Sequence, residues 1–144
     1  MSIHLNRRKL LCISFFLCCV LPTYFKWFEI GGDIADWTGL NLIGGVLLVG
    51  TMLFAFALFF SGFQLRLALG ILAHLIVLLA VLNGFFSFPL LANIAAERDL
   101  SLSLSAARPA YWIGLVLSVL HLAMFTTTEI AVRKLSGQPP TNPV

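Results

Sequence analysis

Charge is what this chain has least of. Of 144 residues, 9 are Lys or Arg and 6 are Asp or Glu, together 10%, where a soluble domain carries about 25%. That shortage excludes an ordinary water-facing surface. Cysteine is nearly as scarce: Cys12, Cys18 and Cys19 all fall in the first apolar run and no C-x-x-C spacing exists. A disulfide framework, a zinc ribbon and a thiol-redox motif are thereby excluded. The chain has no G-x-S-x-G elbow, no H-E-x-x-H and no Gly-rich phosphate loop, so no motif points to hydrolysis or nucleotide chemistry. Acidic and basic side chains are also missing from the middle of every long apolar run, which removes the embedded carboxylate that a proton-coupled exporter needs.

Apolar residues fill the space that charge vacates. The chain is 60% hydrophobic, with a mean hydropathy of +0.99, which predicts an all-α integral membrane protein. Four runs are candidates for spans, at about 10–25, 42–63, 67–88 and 111–131, because crossing a bilayer core takes about 20 apolar residues. The expectation is a four-transmembrane-helix bundle. The first run is the shortest and reaches roughly 24 Å, so either Lys26 is expected to snorkel or Tyr24 and Trp27 to mark the interface. Its basic start and apolar core, without a small-x-small site before Pro22, read as a retained signal anchor. Only Gln64-Leu65-Arg66 separates the second and third runs, predicting a tight antiparallel hairpin. Pro109 suits the start of the fourth helix, and Tyr111 and Trp112 suit its interface.

Orientation follows from the basic residues. Arg7, Arg8, Lys9, Arg66, Arg133 and Lys134 fall on the side of the N-terminus, whereas Lys26, Arg98 and Arg108 fall opposite. The positive-inside rule then places both termini in the cytoplasm of a bacterial inner membrane. The same bias accounts for the net charge of +3, so no nucleic-acid partner is expected. Residues 1–135 form a single membrane domain, and 136–144, polar and proline-rich, read as a disordered cytoplasmic tail.

The outer segments are too rich for simple turns. Lys26 to Asn41, KWFEIGGDIADWTGLN, holds three carboxylates, two tryptophans and a Gly-Gly pair suited to a hairpin turn. In DLSLSLS, Leu100, Leu102 and Leu104 alternate with serine, the period of a half-buried strand. A small extracytoplasmic cap containing short β-strands is therefore predicted. The order of spans and loops resembles the claudin plan, with Trp37-Thr38-Gly39-Leu40 in the first outer loop. Asn41 stands where that family's motif has Trp, and paired loop cysteines are absent, so the resemblance extends to topology alone.

Candidate site residues fall into three sets. Trp27, Glu29, Asp33, Asp36 and Trp37 form an outer face suited to binding a partner. His74, Asn83, Ser118 and His121 are the polar residues inside the spans; the histidines lie at depths that let them meet, and interhelical hydrogen bonding is their expected role. Gly70, Ala73, Ala80 and Gly84 give the third span small residues for close helix packing. No resident cofactor or metal is expected. The functional expectation is a non-enzymatic multi-pass protein acting by contact, as an accessory or assembly subunit of a larger complex or as a homo-oligomer in the bilayer. Two alternatives stand beside it: an immunity-type protein against a membrane-acting toxin, and a small redox or transport protein using the intramembrane histidines.

Overall fold

The structure, a computed structural model, describes residues 2–30, 37–60, 62–92 and 98–136. The expected turn at Gly31-Gly32, the acidic pair Asp33 and Asp36, and the tail beyond residue 136 lie outside the described residues. The described chain is all helical. A first helical run comprises α1 (Ser2–Phe15), a π turn (Phe16–Val20) and a 3-10 turn (Leu21–Tyr24); α2 (Gly39–Ala57), α3 (Phe63–Leu91), α4 (Leu100–Ala106) and α5 (Pro109–Ser136) follow. Three of these helices, Gly39–Ala57, Phe63–Leu91 and Pro109–Leu135, are long and apolar enough to cross a membrane. Their outward faces carry Leu48, Val49, Met52, Leu72, Leu79, Val116 and Leu120 exposed, a surface that matches lipid rather than water.

Glycine sets how closely the helices approach. A Cβ on Gly50 would lie 2.6 Å from Val77 Cγ2, and one on Gly84 would lie 3.2 Å from Ile43 Cγ2, so α2 and α3 pack backbone to side chain along their length. Gly70 is filled by the Phe125 ring of α5. Ala73 and Ala80 are buried on the same helix. The small residues of α3 thus pack within the chain.

Two expected boundaries move. α2 ends at Ala57 and α3 begins at Phe63, so Gln64-Leu65-Arg66 lie in the first turns of α3 and not in the connection before it. Leu58 and Phe59 close the end of α2 through bonds to Phe54, Ala55 and Phe56 carbonyls, and Gly62, extended at φ −67° and ψ 125°, starts α3.

The second correction concerns the cap. DLSLSLS is a helix, and its alternation is misleading: Ser103 and Ala106 are buried whereas Leu100 and Leu104 are exposed. Asp99 decides this, because its carboxylate accepts from the Ser101 and Leu102 backbone N–H groups at 2.8 and 3.2 Å. Capping those orphan donors commits the segment to α4 at its entry, and the carboxyl is held below its ordinary acid range by these bonds and the Ser101 hydroxyl, the largest contributor. Ser103 Oγ then donates to the Phe85 carbonyl at 2.8 Å. Among the described residues the cap contains no strand, only isolated antiparallel bridges, Lys26 with Thr38 and Phe28 with Ala107.

Candidate functional site

Polar side chains gather at three levels. The outermost is the cap. Trp27 N–H donates to the Trp37 carbonyl at 2.9 Å, Glu29 N–H to Ala106 at 3.0 Å, and Arg108 N–H to Trp27 at 2.8 Å. These bonds tie the segment after the first run to the start of α2 and the entry of α5. Trp27 is not at an interface as expected: it is buried, with its Nε1–H donating to the Pro22 carbonyl at 3.0 Å. Gly39 makes this possible, since a Cβ there would collide with the indole. Tyr111, also expected at the interface, is buried at an edge-to-face angle to Trp27, ring centroids 5.5 Å apart; Trp112 is exposed. Trp37 packs half-buried on Phe88. Glu29 and Arg108 pair at the rim, both substantially exposed.

The middle level is a histidine pair. His74 on α3 and His121 on α5 are both 1% exposed, and His74 Nε2 meets His121 Nδ1 at 2.7 Å. Their ring centroids are 5.0 Å apart and their planes differ by 17°, so the rings lie edge to edge with nitrogens facing. His74 Nδ1 is 2.7 Å from the Gly70 carbonyl. A carbonyl only accepts, which assigns the proton to Nδ1 and leaves Nε2 as an acceptor. His121 Nδ1–H therefore donates to His74, and His121 Nε2 accepts from Ser14 Oγ–H at 2.9 Å. Both rings are neutral in this chain of bonds. Phe15 and Phe54 meet both rings nearly edge-on, and Phe125 lies against His74 with centroids 5.6 Å apart. Cys19 joins the group: one donor atom each from Cys19, His74 and His121 lie within 4.8 Å of one another. The π turn carries Cys19 inward, where it is buried.

The innermost level, toward the N-terminal end of α1, is ionic. Glu129 is fully buried and accepts from both Arg7 and Arg66. Arg66 Nε and Nη2 reach Glu129 Oε2 at 2.8 and 2.6 Å, and Arg66 Nη1 donates to the Phe60 carbonyl at 3.0 Å. One carboxylate thus ties the first helix, α3 and α5 together. Arg7 Nε is buried without a partner among the described residues.

Sequence reasoning brought the two histidines within reach and left the rest unseen. Ser118 is buried, and Asn83 faces outward, 3.4 Å from Ser87. Ser14, Cys19 and the Arg7–Glu129–Arg66 triad were missed. One signal was available: His74 lies eight residues after Arg66, and His121 eight before Glu129, which puts each pair on one helix face about 12 Å apart. Comparison with family models, with curated proteins and with solved structures finds no match to this chain.

Proposed function

We propose that the chain is a four-helix, non-enzymatic subunit of a membrane complex, with both termini cytoplasmic, that acts by contact through its outer cap. In this reading the first helical run is the fourth span and the basic residues around the ionic triad lie at the cytoplasmic face. The observation that carries the reading is the pinned cap: the Trp27, Glu29 and Arg108 backbone bonds and the buried Trp27 and Phe28 rings fix the outer segments on the bundle. A surface already ordered before its partner arrives loses less conformational entropy on binding. Glu29 and Arg108 at its rim supply the charge that orients a partner.

The test is recovery from native membranes in mild detergent. The wild type is expected to bring down a stoichiometric second membrane protein, and combined Glu29→Lys, Asp33→Lys and Asp36→Lys substitution to lose it while the chain itself is recovered in normal amount. Recovery of the wild type only as copies of itself would contradict the accessory-subunit reading. Orientation is tested separately by a periplasmic reporter fused after Val144, which is expected to be inactive; activity there would reverse the assignment.

A further inference from the structure

We infer that Cys19, His74 and His121 form a buried binding site for a monovalent soft metal ion, Cu(I), independent of the docking reading. The donors come from three separate elements and converge within 4.8 Å. Thiolate and imidazole are the ligand types that suit copper in its reduced state, and no hard oxygen ligand is among the three. This departs from the sequence expectation of no metal, in which His74 and His121 served as interhelical hydrogen-bonding groups.

The arrangement around the rings is that of metal-ligating histidines. Such histidines hold their second nitrogen through a carbonyl, carboxylate or water, which fixes the tautomer and aims the first nitrogen at the ion. His74 Nδ1 donates to the Gly70 carbonyl at 2.7 Å, leaving Nε2 aimed at the shared centre. His121 turns Nδ1 to the same centre and has Ser14 Oγ at 2.9 Å from its other nitrogen. Ser14 Oγ also lies 3.1 Å from the Leu11 carbonyl, to which it can donate. The hydroxyl can therefore reverse its role: it accepts from His121 Nε2–H and donates its own O–H to the Leu11 carbonyl. The His121–Ser14–Leu11 bonds stay complete when His121 moves its proton from Nδ1 to Nε2, and the bond between the two rings gives way to the ion. Metal–nitrogen bonds of about 2 Å require the facing nitrogens to part beyond their 2.7 Å separation.

Charge selects the ion. Binding Cu(I) converts the Cys19 thiol to a thiolate and releases one proton; His121 exchanges tautomer and His74 keeps its proton. One positive charge enters, one leaves, and no electron is transferred. The site stays neutral, whereas a divalent ion on the same donors would leave a net positive charge buried among Phe15, Phe54 and Phe125, which a low-dielectric interior opposes.

The experiment uses the full-length protein in detergent under reductant, with Cu(I) presented as its bicinchoninate complex. Wild type is expected to withdraw one Cu(I) per chain with release of one proton, and the copper absorption edge to show one sulfur and two imidazole nitrogens. Cys19→Ser is expected to weaken binding at least 100-fold, Ser14→Ala about 10-fold through the second nitrogen of His121, and Cys12→Ser with Cys18→Ser to leave it unchanged. Absence of binding by the wild type, a copper environment of sulfur alone, equal binding by Cys19→Ser, or preferential uptake of Zn(II) would each overturn the inference. The absorption edge of the wild type decides the matter even if a variant fails to fold.

Discussion

The same three elements build both polar levels inside the bundle, and they build them differently. The first helical run contributes Ser14 to one and Arg7 to the other; α3 contributes His74 and Arg66; α5 contributes His121 and Glu129. At the ionic level each carboxylate oxygen is held by an arginine, and removing Glu129 leaves two arginines without their counter-charge. At the histidine level only neutral groups meet, Ser14 has both His121 and the Leu11 carbonyl within reach and can reverse its role, and a thiol stands beside the pair. Phe125, seated on Gly70, lies on α5 midway between His121 and Glu129. The difference teaches that burial alone does not distinguish holding a fold from serving a function. Charges locked in pairs hold; neutral donors with reversible partners can accept a ligand.

The comparison can be broken most strongly at Glu129. Glu129→Ala strands Arg7 and Arg66 and is expected to destabilise the protein by about 3–5 kcal/mol, read as thermal unfolding in detergent. Replacing the triad together, with Arg7→Met, Arg66→Met and Glu129→Leu, is expected to recover most of that loss, since apolar groups of similar volume replace such triads well. Next comes the contact beside both levels. Gly70→Val sets a branched side chain against the Phe125 ring and is expected to destabilise by about 1–3 kcal/mol through overpacking; the same assay reads it. Ser14→Ala removes one hydrogen bond from His121 and is expected to lower stability by about 1 kcal/mol, which separates the histidine level from the ionic one by magnitude. The smallest effect lies in the cap. Asp99→Ala is expected to speed amide exchange in α4 alone, with Asp99→Asn preserving protection. Because the Ser101 hydroxyl and the backbone N–H groups hold the Asp99 carboxyl below its ordinary value in the folded chain, its support for α4 is present above that ordinary value and is lost only as pH falls through the lower folded one. Exchange in α4 that rises already between pH 7 and 5 would contradict this assignment.

How legible all this was depends on what each residue's neighbours reveal along the chain. The long helices could be read because α2, α3 and α5 are uninterrupted in apolarity, and the histidines because each stands alone in such a run. Their pairing could be anticipated only as a matching of depth. Cys19 and Ser14 were invisible because the first run changes from α to π to 3-10 helix between Phe15 and Tyr24, which shifts the inward face away from a simple period. Glu129 stands near the inner end of the fourth apolar run, which fades near Ala131; the helix continues to Ser136, and the carboxylate is fully buried. The Ser-Leu run carried two signals, alternation and a preceding Asp99, and the cap outweighed the alternation. Trp27 was assigned to the interface from residue type; Gly39 and Gly114 leave the room that buries it.

The division between a locked ionic level and a reversible neutral one is tested most directly by nitrogen NMR of histidine-labelled protein in detergent, with His4 as the internal comparison. The account predicts neutral imidazoles at His74 and His121, the Nδ1 of His74 protonated, and a coupling between His74 Nε2 and His121 Nδ1 across their 2.7 Å contact. Two uncoupled rings, or a ring carrying protons on both nitrogens at neutral pH, would contradict it.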